Sequence, residues 1–191
     1  YMSRFFGRAA HTAFVVPDLQ AAVQPLLIGG MGPAFMLRRL LSMGRYRGER
    51  HDMITNVAFI NAGNVQYEIL EQVDDSPSIY REFLQKKPAG GLHHVAYYSS
   101  DFKADIERAK HAGLELRIVQ EFLTPDGTTF EIYMEPVNAA DPVLIQFMYP
   151  GPTEALFAKM DDISAHWDGT EPMRSLFDLL PPEIQLPVAP E

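Results

Sequence analysis

Two histidines, one glutamate and one glutamine occupy matching places in two segments of the chain, and all four side chains can bind a metal ion. His11 begins the stretch HTAFVVPDL, and His94 begins the similar stretch HVAYYSSDF. Further along, QYEILEQ aligns with LIQFMYP, so that Glu68 matches Gln146. Two imidazoles, a carboxylate and an amide oxygen suit Zn, Ni, Co, Mn or Fe(II). A thiolate site is excluded because the chain has no cysteine.

The alternation of side chains around these residues indicates that they could act together. Residues two apart in a β-strand share a face, so Glu68 lies beside Leu70 and Gln146 beside Met148. A polar group buried among such apolar neighbours is costly unless it has a partner. One divalent ion held by all four residues would supply that partner and leave two octahedral positions for water or substrate. Any one of these residues alone would more often have an ordinary structural role.

Each of the two similar segments begins a β-α-β-β-β order of elements. The first strand of each ends at Asp18 or Asp101, which can cap a following helix. The first helix is predicted over 19–28, where Pro25 should kink or shorten it. The second helix should stop at Gly113. The other strands are predicted at 33–41, 52–61 and 64–71, and again at 114–122, 128–135 and 142–149.

This repeat predicts an α+β fold in which two pseudosymmetric βαβββ modules close around a central cavity, followed by a helical C-terminal extension. The predicted divisions are a first module at 9–73, a linker with a short helix at 74–91, a second module at 92–150, and an extension with a Pro-rich tail at 151–191. A helix at about 153–166 in the extension could cover the cavity or lie at a subunit interface.

Composition and charge exclude several other classes of protein. The net charge is −9 and no run of Lys or Arg exceeds two residues, which is unlike a nucleic-acid-binding protein. No apolar run is long enough to span a membrane, and a cytoplasmic protein with a small-molecule substrate is expected. The acidic balance gives no support for a CoA or nucleotide handle.

Aromatic and apolar residues on the predicted cavity strands indicate a partly apolar substrate with a chelating polar end. The candidate pocket residues are Phe35, Tyr98, Tyr133 and Met148. His93 alternates with His94 and aligns with Ala10, which is no metal ligand. We therefore expect His93 to serve packing or substrate contact.

At these residues the chain resembles the vicinal oxygen chelate superfamily, which includes glyoxalase I, methylmalonyl-CoA epimerase, extradiol dioxygenases and bleomycin-resistance proteins. The resemblance covers about residues 9–150 and rests on HTAFVVPDL, GLHHVAYYSSDFKADIERAKHAG and VQYEILEQVDDSPSIYREFL. It implies a metal ion between paired modules, bound by one residue from each first strand and one from each last strand. Those positions are held here by His11, Glu68, His94 and Gln146.

The glyoxalase and epimerase branch implies lyase or isomerase chemistry, in which the metal chelates neighbouring oxygens and a carboxylate on a last strand moves a proton. Gln146 departs from that pattern, because an amide cannot take up a proton. Either Glu68 is the base, or another carboxylate reaches the site, or proton transfer is not the reaction. Glu131 and Glu135 are possible substitutes, but both are expected to face outward.

Two other functions stay open. His11, His94 and Glu68 form a 2-His-1-carboxylate set, which suits Fe(II) and the oxygen chemistry of an extradiol-type dioxygenase. A bleomycin-resistance-type protein would instead bind a small molecule without turnover, although such proteins often lack a full ligand set. A homodimer is the expected assembly.

Overall fold

The computed structural model describes residues 5–182, 184 and 186–190. The described first half of the chain contains six strands and one helix. In order, these elements are β1 (Ala9–Val15), α1 (Leu19–Ile28), β2 (Ala34–Ser42), β3 (Gly44–Tyr46), β4 (Glu49–Arg50), β5 (Met53–Ala62) and β6 (Val65–Gln72). The predicted helix and the three long strands that follow it are confirmed here.

The second half repeats this order after a linking helix, and a short helical tail follows. These elements are α2 (Ile79–Lys86), β7 (Gly91–Tyr98), α3 (Phe102–His111), β8 (Leu116–Leu123), β9 (Thr129–Pro136), β10 (Leu144–Met148), α4 (Pro152–Ala165), β11 (Met173–Ser175) and a 3-10 turn at Leu176–Leu179. The α+β fold class is confirmed, whereas the division into domains at 73, 91 and 150 stays a prediction.

Helix boundaries follow the residues that predicted them. The Asp18 carboxylate accepts a hydrogen bond from the Ala21 amide, and Asp101 does the same for Ala104. Both aspartates therefore cap their helices, as expected. Pro25 lies inside α1, which nevertheless keeps its predicted length.

The described strands form one mixed sheet in the order β11-β2-β5-β6-β1-β7-β10-β9-β8-β3-β4. The halves meet where β1 pairs antiparallel with β7. Each of these first strands also pairs in parallel with the last strand of its own half, β6 or β10. The four central strands are therefore the four that carry the candidate metal ligands.

A glycine permits the close approach of the two halves. Gly90 has a φ of 77°, and a Cβ atom added to it would lie 2.4 Å from the carbonyl oxygen of Val15. Only glycine combines this backbone conformation with so little space. Strand β7 can consequently start against the end of β1, which brings the histidines of the two strands together.

The hairpin of β3 and β4 was missed in the sequence. The chain runs directly from β2, which pairs with β5, into β3, which pairs with β8. One stretch of backbone thus joins the outer strands of both halves and closes the sheet around one face. Arg47 and Gly48 form the hairpin turn with positive φ angles. The flanking strands are too short and polar to show the hydrophobic alternation that predicts a strand.

The largest core cluster covers the face of the sheet that carries the candidate ligands, which we call the inner face. It unites residues of both halves with Tyr80 of α2 and with Phe157 and Met160 of α4. Helices α1 and α3 pack on separate clusters of the outer face, one for each half. The C-terminal extension therefore covers the inner face, which was one of the two roles considered for it.

The end of the chain returns to strand β2. The Leu41 amide donates to the Pro187 carbonyl, and the Ala189 amide donates to the Arg39 carbonyl. The predicted Pro-rich tail also includes residues 183, 185 and 191, which lie outside the described residues. Among the described helices, none has the length and apolar character required to cross a membrane.

Candidate metal centre

The four candidate ligands lie on adjacent central strands, in positions set by the strand register. In that register Ala13 of β1 is opposite both Glu68 and His94, and Ala96 of β7 is opposite both His11 and Gln146. The small alanine side chains leave room between the longer polar ones. All four ligand side chains are buried, and that of His94 is fully so.

Three of the ligands form one compact group around the Glu68 carboxylate. Its Oε2 lies 3.1 Å from Nε2 of His94 and 3.4 Å from Nε2 of His11. One ligand atom from each residue lies within 4.8 Å of the others. The sequence prediction that these three residues meet at one point agrees with this geometry, although their role as ligands stays a prediction.

The buried polar atoms of the group contact one another but make no well-aligned hydrogen bond with any described residue. These atoms are Nε2 of His11, Oε2 of Glu68, Nε2 of His94 and Oε1 of Gln146. Buried polar groups almost always make well-aligned hydrogen bonds, so four such atoms on neighbouring strands require an explanation. A divalent cation would accept lone pairs from all of them, and this nitrogen and oxygen donor set fits such an ion.

The amide of Gln146 is oriented by two groups on β9. Its Nε2 donates to the Tyr133 hydroxyl at 2.9 Å and to a carboxyl oxygen of Glu131 at 3.1 Å. Tyr133 also accepts a hydrogen bond from Tyr80. Because the nitrogen is fully engaged, the amide oxygen is the free end. Burial lowers the pKa of His94, and hydrogen bonding to Glu68 and, to a smaller extent, to this amide opposes that effect.

Glu131 corrects the prediction that it would face outward. Its carboxyl lies beside Gln146, and burial raises its pKa to about 8, with a further contribution from the charge of Glu68. The sequence could have predicted this placement, because Glu131 is two residues from Tyr133, a predicted pocket residue, and residues two apart in a strand point to the same face. Glu135 instead pairs with Arg117 and Arg47.

The pKa values at the centre favour metal-binding protonation states. Burial raises the pKa of Glu68, but hydrogen bonding and charge from His11 and His94 outweigh it and hold the pKa well below the usual range. Burial lowers the pKa of His94, so its imidazole is neutral near pH 7. A carboxylate and a neutral imidazole are the forms that coordinate a metal ion.

The two histidines have different surroundings. His11 is held by edge-on packing against Phe59 and Phe157, with ring centroids 5.9 and 5.6 Å away. His94 instead packs against Tyr133 at 5.0 Å, and its Nδ1 lies 2.9 Å from Nδ1 of His93. The expectation that His93 serves packing or substrate contact missed this contact with a candidate ligand.

The predicted pocket residues all belong to the cluster on the inner face. Phe35, Tyr133 and Met148 are buried there, and Tyr98 packs against its edge. Phe157 of α4 lies over the same surface, beside His11. A substrate approaching the centre from this side would therefore meet the C-terminal helix.

Comparisons with known proteins agree with this architecture. Residues 10–129 match the family model of the glyoxalase/bleomycin resistance protein/dioxygenase superfamily. The ethylmalonyl-CoA/methylmalonyl-CoA epimerase of Cereibacter sphaeroides is 36% identical over 109 residues, which cover 56% of this chain and 72% of that protein. The mitochondrial methylmalonyl-CoA epimerase of Homo sapiens is 32% identical over 101 residues, covering 52% of this chain and 51% of that protein.

A solved structure of methylmalonyl-CoA epimerase from Mycobacterium tuberculosis shares the fold. Its TM-score is 0.53 at 20% identity, and the match covers 81% of this chain and 95% of that chain. The family match spans His11, Glu68 and His94 but ends before Glu131 and Gln146. By the extent of the family match and by its sequence relatives, the chain belongs to the glyoxalase/bleomycin resistance protein/dioxygenase superfamily.

Proposed function

We propose that this chain is a divalent-metal-dependent isomerase that moves a proton at a carbon next to a carbonyl group. The observation that carries the proposal is the buried group of His11, Glu68 and His94, whose ligand atoms lie within 4.8 Å of one another, with the Gln146 amide on the neighbouring strand. The relatives named as epimerases support the isomerase class.

One divalent ion would be held by His11, Glu68, His94 and Gln146. When bound, it supplies a Lewis acid that polarises substrate oxygens and stabilises the negative charge that develops on them. The protein contributes one carboxylate to this set, so the centre keeps a net positive charge that attracts an anionic oxygen. Zn, Ni, Co, Mn and Fe(II) all suit these donors.

Glu131 is our candidate for the group that moves the proton. Glu68 was the first choice from the sequence, but its carboxylate faces both imidazoles and is the natural ligand of the set. Glu131 lies one strand away, against the amide of Gln146, and is not among the four ligands. Its carboxylate would take the proton from the substrate carbon, and the electron pair of the broken C–H bond would pass to the carbonyl oxygen.

The relatives suggest the first substrates to test. Their names specify the CoA esters of methylmalonate and ethylmalonate, and such esters carry a carboxylate and a thioester oxygen that one metal ion can chelate. The negative net charge of the chain gives no support for binding of the CoA portion of a substrate, so smaller carbonyl acids should be tested in the same assay. Cytoplasmic localisation and a homodimer stay predictions, the second testable by sedimentation.

An alternative is supported by the compact His11, Glu68 and His94 group. This 2-His-1-carboxylate set suits Fe(II) and an extradiol-type dioxygenase reaction. Oxygen consumption by the Fe(II)-loaded protein with catechols would favour this alternative. Tight binding of a small molecule without either reaction would favour a sequestering protein.

Two measurements test the proposed function. We expect elemental analysis to find about one divalent metal per chain in the wild type. His94→Ala and Glu68→Ala should lose it, whereas His166→Ala, at an exposed histidine, should retain it. Undiminished metal in both site variants would overturn the metal centre. The loaded wild type should also exchange the α-hydrogen of methylmalonyl-CoA or a smaller carbonyl acid with solvent deuterium, and its failure to do so would reject the isomerase assignment.

A further inference from the structure

The adjacent histidines of β7 are joined through their rings. Nδ1 of His93 lies 2.9 Å from Nδ1 of His94, and both side chains are buried, with 2% and 0% of their surface exposed. Two ring nitrogens at this distance share one proton, so one of them donates and the other accepts. The direction of this hydrogen bond determines whether Nε2 of His94, which faces Glu68, carries a proton or a lone pair.

The proposed metal site decides the direction of this hydrogen bond. Nε2 of His94 lies 3.1 Å from Oε2 of Glu68 and is the ring nitrogen that faces the other ligands. To bind a metal ion this nitrogen must carry a lone pair, so the single N–H of the neutral ring is then on Nδ1. In the metal-bound state Nδ1 of His94 therefore donates to Nδ1 of His93, whose own N–H lies on Nε2.

We propose that His93 is a positioning residue that holds His94 in the tautomer whose Nε2 can bind the metal ion. This inference rests on the proposed metal centre. His93 does not contact the centre itself, and it acts only through His94. Partners of this kind fix the orientation and tautomer of metal-bound histidines, and their loss typically weakens metal binding by about 10–100-fold.

Helix α2 fixes His93 in turn. The His93 ring lies 5.3 Å from the ring of Tyr80 and 5.0 Å from that of Phe83. The start of the helix is anchored because Ser78 accepts from the Tyr80 and Arg81 amides and donates to Gln72 of β6. The linker between the two halves thereby supports a ligand of the second half.

Two substitutions separate positioning from packing. His93→Asn keeps an oxygen acceptor near the place of Nδ1, whereas His93→Leu fills the space without an acceptor. Zinc affinity, measured by chelator competition, should fall about 10–100-fold in His93→Leu and recover most of that loss in His93→Asn. Thermal unfolding of the metal-free variants would show that both are folded. Equal zinc affinity in His93→Leu and the wild type would overturn the proposal.

The tautomers can be observed directly by long-range ¹H–¹⁵N NMR of the wild type. We expect His93 to carry its proton on Nε2, and His94 to carry its proton on Nδ1, in the zinc-loaded protein. A zinc-loaded protein with a proton on Nδ1 of His93 would overturn this inference and leave the metal centre standing. A wild type that binds no zinc would overturn the metal centre and this inference with it.

Discussion

In the first half of the molecule, the last strand supplies a carboxylate to the centre, and Glu68 lies opposite Phe59 of β5. In the second half, the equivalent strand supplies an amide, and Gln146 lies opposite Tyr133 of β9. The frame of strands is the same, but the charged ligand comes from only one side. Phe59 offers no hydrogen bond, whereas Tyr133 accepts one from the Gln146 amide and so helps to orient it.

A second carboxylate appears in the second half at a different place. Strand register makes Glu131, opposite Met148, the equivalent of Val57, opposite Leu70. Each half therefore contributes one acidic group near the centre. In the first half the group is a candidate ligand on the last strand, and in the second half it stands beside a candidate ligand, on the strand that pairs with the last one. The proposed function would thus divide metal binding and proton transfer between strands that are not equivalent in the two halves.

The histidines extend the same contrast. Nδ1 of His94 pairs with His93, whereas Nδ1 of His11 has no hydrogen-bond partner among the described residues. The first half has Ala10 where the second half has His93. Packing by Phe157 of the C-terminal extension holds His11 instead. One ligand is fixed by hydrogen bonding within the sheet, and the other by contact with an added helix.

The largest expected effect follows removal of the charged ligand. Glu68→Gln keeps the shape of the side chain but leaves the cation without its only carboxylate ligand. Removing one partner of a buried charge pair costs about 3–5 kcal/mol, so metal affinity should fall roughly 1,000-fold. Isothermal titration of the metal-free protein measures this. Glu71→Gln on the same strand is the control, and equal losses in both variants would contradict the assignment of Glu68.

A somewhat smaller effect is expected at the helix that covers His11. Phe157→Ala should lower the free energy of unfolding by about 3 kcal/mol, because it empties a buried aromatic site. It should also speed the removal of bound metal by a chelator, since His11 loses its cover. Met160→Ala on the same helix is the matched control. If both variants release metal at the wild-type rate, α4 does not limit access to the centre.

The fold was largely predictable because its strands alternate and its two halves repeat. The caps at Asp18 and Asp101 also carry their usual sequence signal. The hairpin around Arg47 was not predictable, since its strands are too short to show a period and depend on pairing with β8, which is distant in the sequence. The position of α4 over the inner face likewise follows from tertiary packing.

At the centre, the repeat identified four residues that the structure brings onto neighbouring strands. Glu131 was misassigned although its parity with Tyr133 pointed inward, because acidic residues on strands usually face water. The contact between His93 and His94 was beyond sequence patterns. Strict alternation places consecutive residues on opposite faces, whereas the ring nitrogens of these two meet through their side-chain torsions.

A neutral ligand should matter less than the charged one. Gln146→Ala removes one amide oxygen from the centre and should weaken metal binding about tenfold, since a neutral acceptor contributes roughly 1–1.5 kcal/mol. The loss should be clearly smaller than that of Glu68→Gln in the same titration. A loss as large as for Glu68→Gln would show that the two halves contribute equally and would remove the main contrast between them.

The smallest expected effect concerns Glu131, which has an apolar residue, Val57, at the equivalent position of the first half. In the folded, metal-free protein the pKa of Glu131 is raised from 4.5 to about 8, chiefly by burial. The folded state therefore keeps a proton that the unfolded chain has already lost above pH 4.5. Stability from this group is complete at low pH and is lost as the pH rises through 8.

Glu131→Gln should abolish that loss, because glutamine does not titrate. Partial exposure of the residue limits the expected difference to about 1 kcal/mol. Urea unfolding of the metal-stripped protein between pH 7 and 9 measures it. Glu135→Gln, whose parent side chain pairs with Arg117, should keep the wild-type slope. If the free energy of unfolding of Glu131→Gln depended on pH as in the wild type, Glu131 would be ionised beside Gln146. The acidic groups of the two halves, Glu68 and Glu131, would then differ in position but not in protonation.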